Sequence, residues 1–269
     1  MDTGKAGRLH KNKPRRTSER SILAWTITTT AILAAWQLAS TLKPSQIPSL
    51  QATLTWLLHE GAYTVAKQAA TTLARTLAGF TIALAATLTL GYVYTTTGSS
   101  LVKNTIRTIN TILQSISVLI WIVILIMLFG VMSPLPPILV STLVSLPILS
   151  STMIASLDTA NPRLKELAAL LGAPQTRLYT DFLLPHTLPQ LAGAARAALG
   201  AALRISVVAE AFGSNGGVGY MIDKYYNLAE PRGVFAWGTI LVALMVLTDK
   251  ALLEPLEARV KQWTTLPQK

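Results

Sequence analysis

The sequence predicts an all-α integral membrane protein with about six transmembrane helices, on three observations. Hydrophobic residues fill 51% of the 269 positions and charged residues 13%, with a mean hydropathy of +0.46, too little charge to coat a soluble globule. Apolar stretches near 22–42, 69–94, 109–132, 134–157, 190–212 and 233–253 are each long enough to cross roughly 30 Å of hydrocarbon as a helix. Cations are sorted by side: Lys5, Arg8, Lys11, Lys13, Arg15, Arg16 and Arg20 precede the first stretch against only Asp2 and Glu19. A basic flank of this kind marks the cytoplasmic side. Six spans then place both termini in the cytoplasm of a multi-pass cell-membrane protein.

Taken in order, residues 1–20 are expected as a basic cytoplasmic tail and 21–59 as the first span with an external linker. Residues 60–258 form the core and 259–269 a cytoplasmic C-terminal tail. The first stretch is too long for a cleaved signal peptide, and Trp25 and Trp36 sit as interfacial anchors, so a retained anchor is expected. Arg15-Arg16 is followed by Thr-Ser-Glu rather than the apolar pair of a twin-arginine signal. Thr and Ser within the spans can back-bond to their own helices and need not mark a pore. Ser133-Pro134-Leu135-Pro136-Pro137 breaks the chain between spans three and four and predicts a tight hairpin. Lys103, Arg107, Arg163, Lys165, Arg177, Arg259 and Lys261 all fall on the cytoplasmic side of this topology.

Span five is rich in small residues, and Gly193, Ala197 and Ala201 have the spacing of a close helix-packing face. Arg196 can snorkel, but Arg204 and Glu210 lie deeper, where a charge costs on the order of 3 kcal/mol unless it faces protein or water. Six residues apart, they are poorly placed to pair on one helix. Each is expected to reach another helix, a partner subunit or an aqueous route. Arg204, Ser206 and Glu210 are therefore the candidate residues for a translocation pathway, with structural ion pairing an equal alternative.

Between spans four and five lies a unit too short to cross a bilayer. Asn161 is a good N-cap, Pro162 suits the first helical position, and Gly172 before Pro174 suits a stop. Leu164, Leu167, Ala168 and Leu171 recur at helical spacing as one apolar stripe. Pro174 then opens a second short helix through Arg177, Tyr179 and Asp181, which Pro185 ends. A helix–glycine–helix of this kind suits a groove on another protein; a helix lying on the bilayer is the plainer alternative.

The run Glu166-Leu167-Ala168-Ala169-Leu170-Leu171-Gly172 with Phe182-Leu183-Leu184-Pro185 resembles the "EAA" signature of binding-protein-dependent ABC importer permeases. Leu167 stands where Ala is usual and Phe182 where Ile is usual. Thr72 to Phe80, and Val207 to Gly213 with Gly216 to Ile222, are similar to two further stretches of the nitrate/sulfonate/taurine-type subfamily, so the resemblance runs from about residue 60 to 258. The turn after Phe129-Gly130 departs from that subfamily, lacking its acidic residue and Lys. The resemblance implies a type I importer permease fold and a homodimer. It also implies two separate ATPase subunits gripping residues 161–185 through Glu166, Leu167, Ala168, Gly172, Leu184 and Pro185. An external solute-binding protein would dock near Gly217, Gly219 and Tyr220. The solute would be a small anion such as nitrate, a sulfonate or taurine, with a thiamine precursor, riboflavin or a metal or oxyanion as alternatives.

Other chemistry is excluded by pattern. Gly213-Ser214-Asn215-Gly216-Gly217-Val218-Gly219 lacks the Gly-Lys-Ser/Thr of a phosphate loop and reads as a flexible external turn. The helix after it, 218–229, is amphipathic. His59-Glu60 fails the two-turn zinc arrangement, the three histidines are scattered, and cysteine is absent. No catalytic site, cofactor or metal is expected on this chain; ATP and Mg would belong to the partner ATPase. Nothing points to nucleic acid. A secondary transporter would need an inverted repeat, and none is present.

Overall fold

A computed structural model describes residues 15–255 and 258, with side chains of 15–25, 252 and 253 outside the described set. The expected tails fall largely beyond these residues. Every regular element described is helical: α1 Arg15–Leu42, α2 Leu50–Glu60, α3 Ala62–Thr96, α4 Ser100–Ser115, α5 Val118–Phe129, α6 Leu135–Asp158, α7 Pro162–Leu170, α8 Gln175–Arg177, α9 Leu184–Gly213, α10 Val218–Asn227 and α11 Pro231–Thr248. Wider π-type turns, Leu178–Leu183 and Asp249–Leu253, precede α9 and follow α11.

Four helical stretches are long and apolar enough to cross a bilayer: Ala62–Thr96, Leu135–Asp158, Gln175–Gly213 and Pro231–Ala251. A fifth span exists if α4 and α5 count as one. The first expected span falls on α1, 28 residues long, whose early side chains are among those not described. Residues 109–132, expected as one continuous span, are instead a broken pair bent by 92°. Ser115-Ile116-Ser117 supplies the break: Ile116 and Ser117 leave helical backbone angles. The two halves also have different solvents. In α4, Lys103, Arg107 and Asn110 accompany Ile106 on an amphipathic helix, which belongs at an interface. α5 is uninterrupted apolar sequence.

α6 is the central post, packed against α3, α5 and α9. Its Ser141, Ser145 and Ser150 are buried, and small side chains there let helices approach. Gly79 of α3 makes the case: a Cβ would lie 2.3 Å from the Ile138 carbonyl oxygen and 2.7 Å from Ser141 Cβ. The expected small-residue face of span five is not the one that packs within this chain. Gly193 and Ala197 are exposed and Gly193 has open space around its Cα, whereas Ala198, Ala202 and Ala209 are buried. The inner face of α9 is thus one residue round from the predicted one, because α6 and α3 together cover it.

The predicted hairpin between α5 and α6 is present, its tip tied to the end of α9 by Met132 N–H donating to the Gly213 carbonyl at 2.7 Å. At the same end, α2 braces α10 and α11. The Tyr225 hydroxyl donates to Glu60 at 2.8 Å and its ring stacks edge-on against Trp56. Burial, then the neighbouring Glu60 carboxylate, push the Tyr225 phenol up to about 12, so it stays a donor at any physiological pH.

Candidate coupling and loop-clamp sites

At one end of the bundle, α7 is built as its sequence dictates. The Asn161 side chain accepts from Arg163 N–H at 3.0 Å, capping the first turn. At the far end, Ala173 N–H returns to the Ala168 carbonyl and Gly172 N–H to Ala169, a Schellman stop. Gly172 sits at φ +62 with nothing within 4 Å of a would-be Cβ, so backbone conformation alone requires glycine there.

The predicted apolar stripe of α7 divides in two. Leu164 and Ala168 turn inward, Leu164 packing on a cluster of Tyr94, Met153, Leu157, Tyr179 and Leu183. Leu167 is exposed, and Leu170 and Leu171 are 85% and 67% exposed. Glu166 is exposed between them with no ion-pair partner among the described residues. The result is an apolar knob with one carboxylate, projecting from a rigid base.

Pro185 does not end a second short helix, as the sequence had implied. Gln175–Gly213 runs as one helical stretch of 39 residues, because the wide turn at Leu178–Leu183 accommodates Pro185 near the start of α9. Leu184 is half-buried against the same cluster as Leu164. The Tyr179 hydroxyl donates to the Leu88 carbonyl at 2.8 Å. The knob is therefore joined to a membrane-length helix and pinned to α3. Beside it, a cavity of about 390 Å³ lies among Tyr94, Lys103, Asp158, Lys165 and Gln175. Arg107 bridges Asp158 at 2.7 Å and also donates to the Tyr94 hydroxyl.

At the other end, the glycine-rich turn is held by a buried polar cluster. Glu210 is fully buried and pairs with Arg75 of α3 at 3.1 Å. Arg75 also donates to Ser214 Oγ and the Gly216 carbonyl, both at 2.6 Å, and to Asn215 Oδ1 at 3.0 Å. Three successive amides opening α10 are each satisfied from other helices: Gly217 by Gln68 at 2.7 Å, Val218 by Thr72 at 2.8 Å, and Gly219 by Glu210 at 3.2 Å. Thr72 in turn donates to Glu210 at 2.7 Å. Gly219 has no room for a side chain, since its Cβ would lie 1.9 Å from the Val207 carbonyl oxygen.

Of the three pathway candidates, Glu210 is thus consumed by Arg75 and the loop, and Ser206 is buried with no partner for its hydroxyl among the described residues. Only Arg204 is exposed. It lines a cavity of about 380 Å³ between α9 and α11 with Gly200, Met245 and the bidentate Arg196–Asp249 pair, 2.7 to 2.8 Å. Of the three docking candidates, Gly217 and Gly219 are buried and Tyr220 half-buried. The exposed residues that follow them are Lys224, Tyr226 and Leu228. Arg75 was missed by sequence reasoning. Its signal was an arginine inside an apolar span with Gln68 and Thr72 on the same helical face, at i, i+4, i+7.

Residues 83–262 match the family described as binding-protein-dependent transport system inner membrane component. No protein of curated function matches the chain. Among solved structures, it is similar to the MetNI methionine ABC transporter in inward-facing conformations, at 25% identity and TM-score 0.59, over 78% of this chain and 97% of that one. A second crystal form of that transporter gives 23% identity and TM-score 0.60, over 79% and 98% of the two chains. An amino acid ABC transporter crystallised with histidines gives 14% identity and TM-score 0.59, over 75% and 96%. The fold is that of type I ABC importer permeases, and the subunit transports rather than catalyses. With an apolar helical bundle, a projecting α7 joined to α9 and a match over two-thirds of its length, the chain belongs to the family of inner-membrane components of binding-protein-dependent transport systems.

Proposed function

We propose that this chain is the membrane-spanning subunit of an ATP-driven importer that takes a small anionic solute from an external binding protein. The observation that carries the reading is α7: an exposed Leu167, Leu170 and Leu171 knob with Glu166, on a helix stopped by Gly172. Such a knob fits an apolar groove rimmed by a cation, here on a separate ATPase subunit. The cation distribution supports a cytoplasmic α7 and cytoplasmic termini. Closure of two ATPases would push α7, and the helical run Gln175–Gly213 would carry that push across the bilayer.

A single chain offers few helices to enclose a route, so two copies pair about a two-fold axis. The open face of α9, with Gly193, Ala197, Gly200 and Arg204, supports a place for it at that axis. Arg204 supports an anionic solute such as nitrate, a sulfonate or taurine. A carboxylate would suit the same cation, and the similar solved transporters are named for methionine and amino acids.

The test is affinity purification of the tagged chain from native membrane. An ATP-binding chain should accompany the wild type, and Gly172→Leu should lose it. Leucine at φ +62 costs about 1–2 kcal/mol, a strain confined to the exposed turn after α7 with free space around it, so the bundle should still fold and melt within a few degrees of wild type. Normal ATPase capture by Gly172→Leu would sink the coupling role.

A further inference from the structure

We infer that Arg75 is a positioning residue for the external docking surface: through Glu210 it sets the pose in which α10 meets the binding protein. The inference rests on the docking reading above and goes beyond it by naming what shapes that surface. A helix begins with several amides that lack partners in their own helix. α10 has no local cap: Gly217 precedes it and has no side chain to offer. Its opening amides are satisfied instead by Gln68 and Thr72 of α3 and Glu210 of α9. The carboxylate of Glu210 also sits where the positive end of the α10 dipole favours negative charge.

Arg75 is what keeps that carboxylate in place. Its guanidinium holds Glu210 Oε1, and the same head fixes Ser214, Asn215 and the Gly216 carbonyl of the turn. Both charges are buried, so neither contacts solute or partner. The outer face of α10, with Lys224 and Asn227, is exposed, and exposed Leu228 follows the helix on the same side. Fixing the first turn of so short a helix fixes the direction of that whole face. A lysine at 75 would supply charge but not a planar fork able to hold carboxylate and loop together.

Two measurements test this, on the complex of the chain with its ATPase in lipid nanodiscs. The first is amide exchange of residues 216–221 in Arg75→Lys and Gln68→Ala. Each variant should exchange ~10-fold faster at Gly217 to Gly219 than wild type, the size of one hydrogen bond to a charged or buried group. Unchanged protection in Arg75→Lys overturns the inference, whatever Gln68→Ala or any partner does. The second titrates ATPase activity with the solute-loaded binding protein that co-purifies with the native complex. Arg75→Lys should need ~10-fold more of it for half-maximal stimulation with the maximal rate retained, a split that general loss of folding would not give. A half-stimulating concentration within about twofold of wild type overturns the docking role. If Arg75→Lys does not assemble, Gln68→Ala decides: it is half-exposed and uncharged, and should show a ~3-fold rise, an unchanged value counting as refutation. Wild-type complex indifferent to the binding protein would defeat the proposed function instead, while leaving the exchange result standing.

Discussion

Glycines in this chain do three different jobs, and single substitutions separate them. Gly172 supplies backbone conformation and nothing more, with φ +62 in open space. Gly219 supplies absence: its Cβ would collide with the Val207 carbonyl, a backbone atom that cannot turn aside. Gly193 supplies neither within this chain, lying in a helix with nothing within 4 Å. Gly219→Ala should therefore lower the melting temperature in detergent by several degrees, since such overpacking costs typically 1–3 kcal/mol or more. Gly193→Ala should leave it unchanged or raise it, alanine being favoured in a helix by roughly 0.5–1 kcal/mol. Equal melting of the two variants would refute this assignment. Legibility at this scale is uneven. Gly172 was readable because its work is local. The work of Gly219 and the pairing of Glu210 depend on Val207 and Arg75 of other helices, which no spacing rule along one strand of sequence can bring together. Arg75 was at least conspicuous, a cation within an apolar run, and could have been matched to Glu210 as the buried charge needing an opposite.

Among the elements, α7 is where sequence and surroundings agree best. Asn161, Pro162 and Gly172 fix its ends, and its spacing announces an apolar stripe. What spacing could not say is which half of the stripe the fold would use: Leu164 and Ala168 are covered by the cluster around Tyr179, and Leu167, Leu170 and Leu171 are left outside. Leu170→Ser should accordingly leave the melting temperature unaltered, because an exposed side chain loses no burial. It should weaken ATPase capture about tenfold, as loss of an interface anchor does. A fall in stability with capture intact would reverse the assignment. Two element boundaries were misread for physical reasons. The 92° break at α4 and α5 comes from an amphipathic segment choosing the interface over the bilayer core, which a sliding average of hydropathy blurs. Pro185 failed to stop its helix because the first turn tolerates a missing N–H, and the wide turn before it absorbs the ring.

Across the whole molecule, the two ends of the bundle are built on opposite plans. At the α7 end, apolar residues project and cations gather around a half-open cavity; at the glycine-loop end, the Arg75–Glu210 pair is buried and three successive amides opening α10 are held. α3 joins them: its first turns hold the loop through Gln68, Thr72 and Arg75, and its later turns receive Tyr179 at Leu88. α9 runs antiparallel beside it, anchored near its C-terminus by Glu210 and near its middle by Arg196 to Asp249. A push on α7 thus has a stiff path to the far side, while the face of α9 bearing Arg204 stays uncovered by this chain. If that face lines the route, Arg204→Gln removes a cation that no described residue has neutralised. Uptake of an anionic solute into proteoliposomes should fall about tenfold, roughly the worth of one charge-assisted hydrogen bond. ATPase capture through α7 should be unaffected, since Arg204 lies far along α9 from α7 and its side chain is on the open face. Unaltered anion uptake would exclude Arg204 from the route, and loss of capture would make it an assembly residue. Normal uptake of a neutral solute by the same variant would strengthen the electrostatic reading, because only a charged solute should register the missing guanidinium.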